Sequence, residues 1–77
     1  MDERLIEVAS LVLDVPVHEL GPDTCAQNCR KWDSAKRLIL IVECEIEFGV
    51  EKFRLEEVKE IKTLGDLQRK LRERGAF

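Results

Sequence analysis

Residues 33–50 read Asp33-Ser34-Ala35-Lys36-Arg37-Leu38-Ile39-Leu40-Ile41-Val42-Glu43-Cys44-Glu45-Ile46-Glu47-Phe48-Gly49-Val50, and the way this stretch folds decides the architecture. Its middle, Leu38 to Val42, is an apolar run that suits a strand when read locally. The flanks, Ala35 to Arg37 and Glu43 to Glu47, are better helix formers, and no second strand is in sight to pair with the run. The stretch is therefore a helix from Asp33 or Ser34 to about Phe48, stopped by Gly49 as a C-terminal cap. On a wheel of helical period, Leu40, Ile41, Cys44 and Phe48 fall on one face. Ala35, Ile39, Val42 and Ile46 fall on nearly the opposite face, with Glu43, Glu45 and Glu47 between or beside the two stripes. One stripe anchors a helix in a small bundle. The second needs another partner: the long loop, a second copy, or other proteins that dock there. A contiguous apolar row beside Ser34 favours docking.

Outward from this helix, Leu5, Val8, Ala9, Val12 and Leu13 are on helical spacing, with Asp2 and Glu3 in the first turn. They predict a helix over Asp2 to Leu13 that ends before Pro16. Residues 14–32 form a long connection in which Val17 and Leu20 are expected to tuck back onto the core through a short helical turn. A short third helix fits Leu55 to Glu60, with Leu55 and Val58 on one face. A fourth begins at Thr63, with Asp66 as its capping partner, and carries Leu64, Leu67 and Leu71. The tail, 72–77, is expected to fray. The expected fold is all-α: one domain over 1–77, a four-helix bundle with a long loop between helices 1 and 2 and a short third helix.

A chain of 77 residues builds one small core, which favours a binding or carrier role over a deep catalytic pocket. Thirteen Lys and Arg against sixteen Asp and Glu give a net charge of −3, which argues against binding a nucleic-acid backbone. No apolar run is long enough to insert in a membrane, and Met1-Asp2-Glu3-Arg4 is unlike a signal peptide, so a cytoplasmic location is expected. Three cysteines, Cys25, Cys29 and Cys44, cannot all pair with one another and read as free thiols. Cys25, Cys29 and the single His18 are poorly spaced for zinc, and no metal site is expected.

Two features single out the start of the second helix. Asp33 and Ser34 form a capping pair, which by itself is ordinary. Arg30, Lys31, Lys36 and Arg37 surround the same helix N-terminus, where positive charge is unfavourable by a few tenths of a kcal/mol per residue. Such a ring of cations on a helix N-terminus suits an anion such as phosphate.

Around Lys31-Trp32-Asp33-Ser34-Ala35 the chain resembles the phosphopantetheine attachment site of acyl carrier proteins, whose core is Asp-Ser-Leu at the start of the second helix. Glu45-Ile46-Glu47-Phe48-Gly49-Val50 is similar to the end of that family's second helix. Glu57-Val58 and Ile61-Lys62-Thr63-Leu64-Gly65-Asp66-Leu67 are similar to its third helix and the start of its fourth. The likeness runs in order along nearly the whole chain. It implies an acyl-carrier-protein-like bundle that is not itself an enzyme. Ser34 would receive covalent 4′-phosphopantetheine from coenzyme A through a phosphopantetheinyl transferase, with Asp33 fixing the turn and assisting the transferase. The arm would carry an acyl or aminoacyl group as a thioester between an acyl-loading ligase or synthase and a downstream acyltransferase. A monomer is expected. Ala35, Lys36, Arg37, Ile39, Val42, Ile46 and Trp32 would form the docking surface, with packing under the long loop an equal alternative for Trp32. Ala35 replaces the family's usual Leu, and Lys36, Arg37 and Ile39 stand where carriers of fatty-acid synthesis show acidic residues. Together with the Trp-Asp-Ser form, this points to a specialised pathway such as polyketide, modified-lipid, surface-polysaccharide or aminoacyl biosynthesis.

Three other classes are weaker. Ser34 as a nucleophile with His18 as its base lacks a Gly-x-Ser-x-Gly turn. A DNA-binding helix-turn-helix conflicts with the glutamates on the second helix. A helical adaptor without a prosthetic group is the principal alternative to the carrier.

Overall fold

Local capping chemistry sets the helix boundaries in the computed structural model, which describes residues 1–77. The elements are α1 (Glu3–Leu13), α2 (Ser34–Phe48), α3 (Leu55–Glu60) and α4 (Leu64–Glu73), with a 3₁₀ turn at Val17–Glu19 in the first connection. Asp2 precedes α1, and its carboxylate accepts from the Leu5 N–H at 3.0 Å. Thr63 and Asp66 form a reciprocal capping box on α4: each side chain accepts from the other's N–H at 3.0 Å. The Glu57 carboxylate accepts from the Arg54 N–H at the start of α3, also at 3.0 Å. Each bond satisfies an N–H that the first helical turn leaves unpaired. Gly49 ends α2 in the left-handed region, φ 62°, and its N–H reaches back to the Glu45 and Ile46 carbonyls. That conformation suits a residue without a Cβ.

α1 stops after Leu13, as expected, but the cap that stops it is not the proline. Asp14 closes the helix two residues before Pro16: it sits at φ 56°, ψ 50°, with its N–H bonded to the Ser10 carbonyl. Aspartate tolerates this region better than most side chains. Ser10 then donates from its hydroxyl to the Val15 carbonyl at 2.7 Å, holding the turn after the helix.

The run Leu38–Val42 is helical, and the chain forms no strand. A single antiparallel bridge joins Cys25 to Thr63. The core is one cluster: Leu5, Ala9 and Leu13 of α1, Leu40, Ile41 and Cys44 of α2, Leu64, Leu67 and Leu71 of α4, with Trp32, Phe53 and Ile61 from the connections. No helix is long and apolar enough to cross a membrane.

Three packing expectations are corrected. Val17 is half-exposed, and Leu20 alone of the pair packs against the core. Leu55 is exposed, so Val58 is the apolar side chain that packs α3 against the core, beside ion pairs from Glu57 to Arg74 and from Glu60 to Lys70. The tail 72–77 is docked rather than frayed. Arg74 pairs with Glu57 at 2.7 Å, the Ala76 N–H bonds to the Leu71 carbonyl at 3.0 Å, and the Phe77 ring meets Phe48 edge-on at 5.3 Å.

The long first connection is pinned to the start of α4. The Leu64 N–H donates to the Thr24 carbonyl at 3.0 Å and the Gly65 N–H to the Pro22 carbonyl at 2.9 Å. A Cβ at position 65 would lie 2.9 Å from that Pro22 oxygen, so the approach requires glycine there. These contacts bring residues 24–32 down beside the N-terminus of α2.

Candidate functional site

Ser34 is the first residue of α2 and is exposed. Asp33 precedes it in extended conformation, and its carboxylate accepts from the Lys36 N–H at 2.8 Å. The cap fixes the backbone at Ser34, while the hydroxyl stays at the surface. Ser34 opens onto a cleft of about 410 Å³ lined also by Cys25, Gln27, Arg37, Lys62 and Thr63. The arrangement offers a positioned hydroxyl, a helix N-terminus and two cations at one mouth.

The cations beside Ser34 have structural work that spacing alone does not reveal. Lys36 donates from Nζ to the Val12 carbonyl at 3.2 Å, and Arg37 donates from its guanidinium to the Ile61 carbonyl at 3.1 Å. Val12 lies in the last turn of α1, and Ile61 is the residue that caps the end of α3. The positive start of α2 thus abuts the negative ends of two other helices, which offsets part of the unfavourable charge placement. Lys31 pairs loosely with Asp14 at 3.6 Å. Arg30 and Lys62 are exposed.

The expected docking surface divides. Ala35, Ile39, Val42 and Ile46 face solvent, and Leu38, which the wheel reading left out, lies with them. Lys36 and Arg37 are half-buried by their carbonyl bonds. Trp32 is a correction. At 5% exposure it belongs to the core, and its backbone N–H donates to the Cys29 carbonyl at 3.0 Å. It anchors the long connection and is not a surface contact. The connection curves over the bundle there, and a large apolar side chain at its inner side is drawn in.

Glu45 was not legible as a buried group. It is 8% exposed, and its carboxylate accepts from the Phe53 N–H at 2.8 Å. This bond fastens the segment after α2 back onto the helix. Cys44, beside it, has a thiol pushed up to about 12 by burial and by the neighbouring Glu43, Glu47 and Glu45. It is a packing residue held in its neutral form. Away from the cleft, the Glu57 carboxyl is held low, first by the Arg54 N–H and then by Arg74 and Lys70. Burial opposes ionisation of Asp66, but the N–H groups of Lys62 and Thr63, together with Arg69 and the Thr63 hydroxyl, outweigh it and hold that carboxyl low.

Cys25 and Cys29 open onto different clefts, and all three thiols are free. No group of three His, Cys, Asp or Glu side chains converges as a metal site. His18 lines a third cleft with the Gly21-Pro22 turn, so it is not paired with Ser34.

No protein-family model matches the chain, and no curated protein matches it.

Proposed function

We propose that the chain is an acyl carrier protein of a specialised biosynthetic pathway, with Ser34 as its 4′-phosphopantetheine attachment site. The observation that carries this reading is Ser34 itself: exposed at the first position of α2, with its backbone fixed by the Asp33 cap. The resemblance of the motifs around Ser34, Gly49 and Thr63 supports it, as does the helix order with a long first connection and a short third helix.

The residues present fit such a group. The Ser34 hydroxyl is open to a transferase, and the cleft holding Arg37 and Lys62 suits a phosphodiester at a helix N-terminus. In the transfer, the Ser34 oxygen would form a bond to the phosphorus that bears the pantetheine. The bond to the nucleotide would break, releasing adenosine 3′,5′-bisphosphate, while the hydroxyl proton passes to the transferase. When bound, the arm would supply a terminal thiol for thioester formation with an acyl or aminoacyl group. The chain's own contribution would be to hold Ser34 at the surface on a rigid helix and to raise the effective concentration of cargo at each partner.

Intact-protein mass after incubation with coenzyme A and a broad-specificity phosphopantetheinyl transferase tests this reading. One phosphopantetheine on the parent and none on Ser34→Ala is expected. A folded parent that stays unmodified, also with a transferase from its own source, would leave the helical adaptor as the better reading, with the exposed row on α2 as its binding face.

A further inference from the structure

The outward face of α2 is apolar along its length. Leu38, Ile39 and Val42 are about half exposed and Ile46 is 70% exposed, and with Ala35 they fall within an arc of about 100°. That arc points away from Leu40 and Cys44, so covering it asks nothing of the core. The charges at the two ends of this row have opposite sign. Arg37 and Lys62 line the Ser34 cleft and Lys36 lies in the first turn of α2, while Arg30 and Lys31, just ahead of the helix, line a second cleft with Asp14 and Glu19. Lys36 and Arg37 bond to carbonyls at helix ends and not to carboxylates, so each keeps its full formal charge, offset only in part by the helix ends. Arg30 and Lys62 are exposed and enter no ion pair. Toward the other end, Glu43 is exposed, and Glu47 meets Arg4 at 3.0 Å. α2 has no acidic side chain in its first turn and no basic one in its last, whereas α3 and α4 have both. The side-chain charges of α2 therefore run in the same sense as its macrodipole and add to its field.

We propose that this face docks a protein partner presenting an apolar helix or groove whose rim is acidic where it meets Ser34. The identity of that partner rests on the carrier reading: it is an enzyme that loads or unloads the group on Ser34, and the mouth of its active site bears carboxylates. An enzyme reaching Ser34 must approach the cationic end of α2. A basic rim would meet Arg37 and Lys62 as like charges, with Arg30 near by in sequence, and an acidic one finds complements there. Ser34 to Ile46 spans about 18 Å at the helical rise, a length that a partner helix of about three turns matches.

Two synthetic amphipathic helical peptides with the same leucine face, one rimmed by glutamate and one by lysine, test the surface on isotope-labelled protein by NMR titration. Shifts should concentrate on Ser34, Leu38, Ile39, Val42 and Ile46. The glutamate peptide should bind about fivefold tighter at low ionic strength, an advantage that shrinks toward 0.2 M salt as screening sets in. The double variant Arg30→Glu, Lys62→Glu should remove or reverse the preference. Ile46→Asp should weaken both peptides, with helix content by circular dichroism held at the parent level; Val42→Asp serves the same purpose if Ile46→Asp misfolds. Equal binding of the two peptides, tighter binding of the lysine peptide, or shifts centred elsewhere would overturn the proposal. Ser34→Ala should leave peptide binding intact, so failure of the docking surface is separable from failure of Ser34 to be modified.

Discussion

On one side of α2, Leu40, Ile41 and Cys44 are sealed in the core. On the other, Ile39, Val42 and Ile46 are no less apolar and face solvent. Residue type does not separate the two rows; the neighbours do. The α1 row of Leu5, Ala9 and Leu13 and the α4 row of Leu64, Leu67 and Leu71 together reach only one side of α2. A bundle this small has no further layer for the other side. α2 thus keeps an uncovered apolar row, and apart from the Asp33 cap it has no acidic side chain in its first turn and no basic one in its last.

The sharpest way to break this contrast is to truncate matched side chains on the two faces. Leu40→Ala should lower unfolding free energy by about 2–5 kcal/mol, read from urea denaturation. Val42→Ala should stay within about 0.5 kcal/mol. Comparable losses would mean that both faces are core. A smaller effect is expected at Glu45, the one carboxylate drawn to the buried side. Glu45→Ala leaves the buried Phe53 N–H without its acceptor and should destabilise by about 1–3 kcal/mol, whereas Glu45→Gln, which can still accept, should lose less.

Acid titration sharpens the contrast from the α4 side. The Asp66 carboxyl is held below its ordinary 3.8 and the Glu57 carboxyl below its ordinary 4.5. The unfolded chain therefore takes up their protons first as pH falls. Their stabilising contribution is present above about pH 4.5 and is lost as pH falls through the lower folded values. Asp66→Asn should flatten the decline of stability between pH 5 and the acid limit (roughly pH 2, below both carboxyls). A parent and variant with parallel profiles would show that the capping box does not titrate as described. The smallest signal is chemical. With its thiol at about 12 and fully buried, Cys44 should resist alkylation in the native state at pH 8, while Cys25 and Cys29 react. Labelling of all three without unfolding would mean that α2 opens readily.

Sequence carried further for local features than for tertiary ones. Gly49 and the Thr63–Asp66 box were legible because a cap acts on N–H or carbonyl groups a few residues away, whereas Asp2, read as a first-turn residue, is the cap of α1. The buried row of α2 was legible because helical period alone places it. Glu45 was not, and Trp32 was legible only as one of two readings, because their burial depends on how the connections at 14–33 and 49–54 fold over the bundle. Lys36 and Arg37 looked like an anion site on spacing; the carbonyls they serve belong to Val12 and Ile61, 24 residues away in either direction. The tail looked free because its partners, Phe48 and Glu57, lie on other helices. At Ser34 the exposed position and its cap were both legible, since both follow from Asp33 preceding a helix.

The carrier role is tested most directly by growing the source cells on isotope-labelled pantothenate and weighing the isolated chain, with Ser34→Ala beside it. The expected result is label on the parent, confined to the peptide containing Ser34 and released by mild alkaline elimination, with none on the variant. An unlabelled parent, or label that persists in Ser34→Ala, would contradict the assignment of Ser34 as the attachment site.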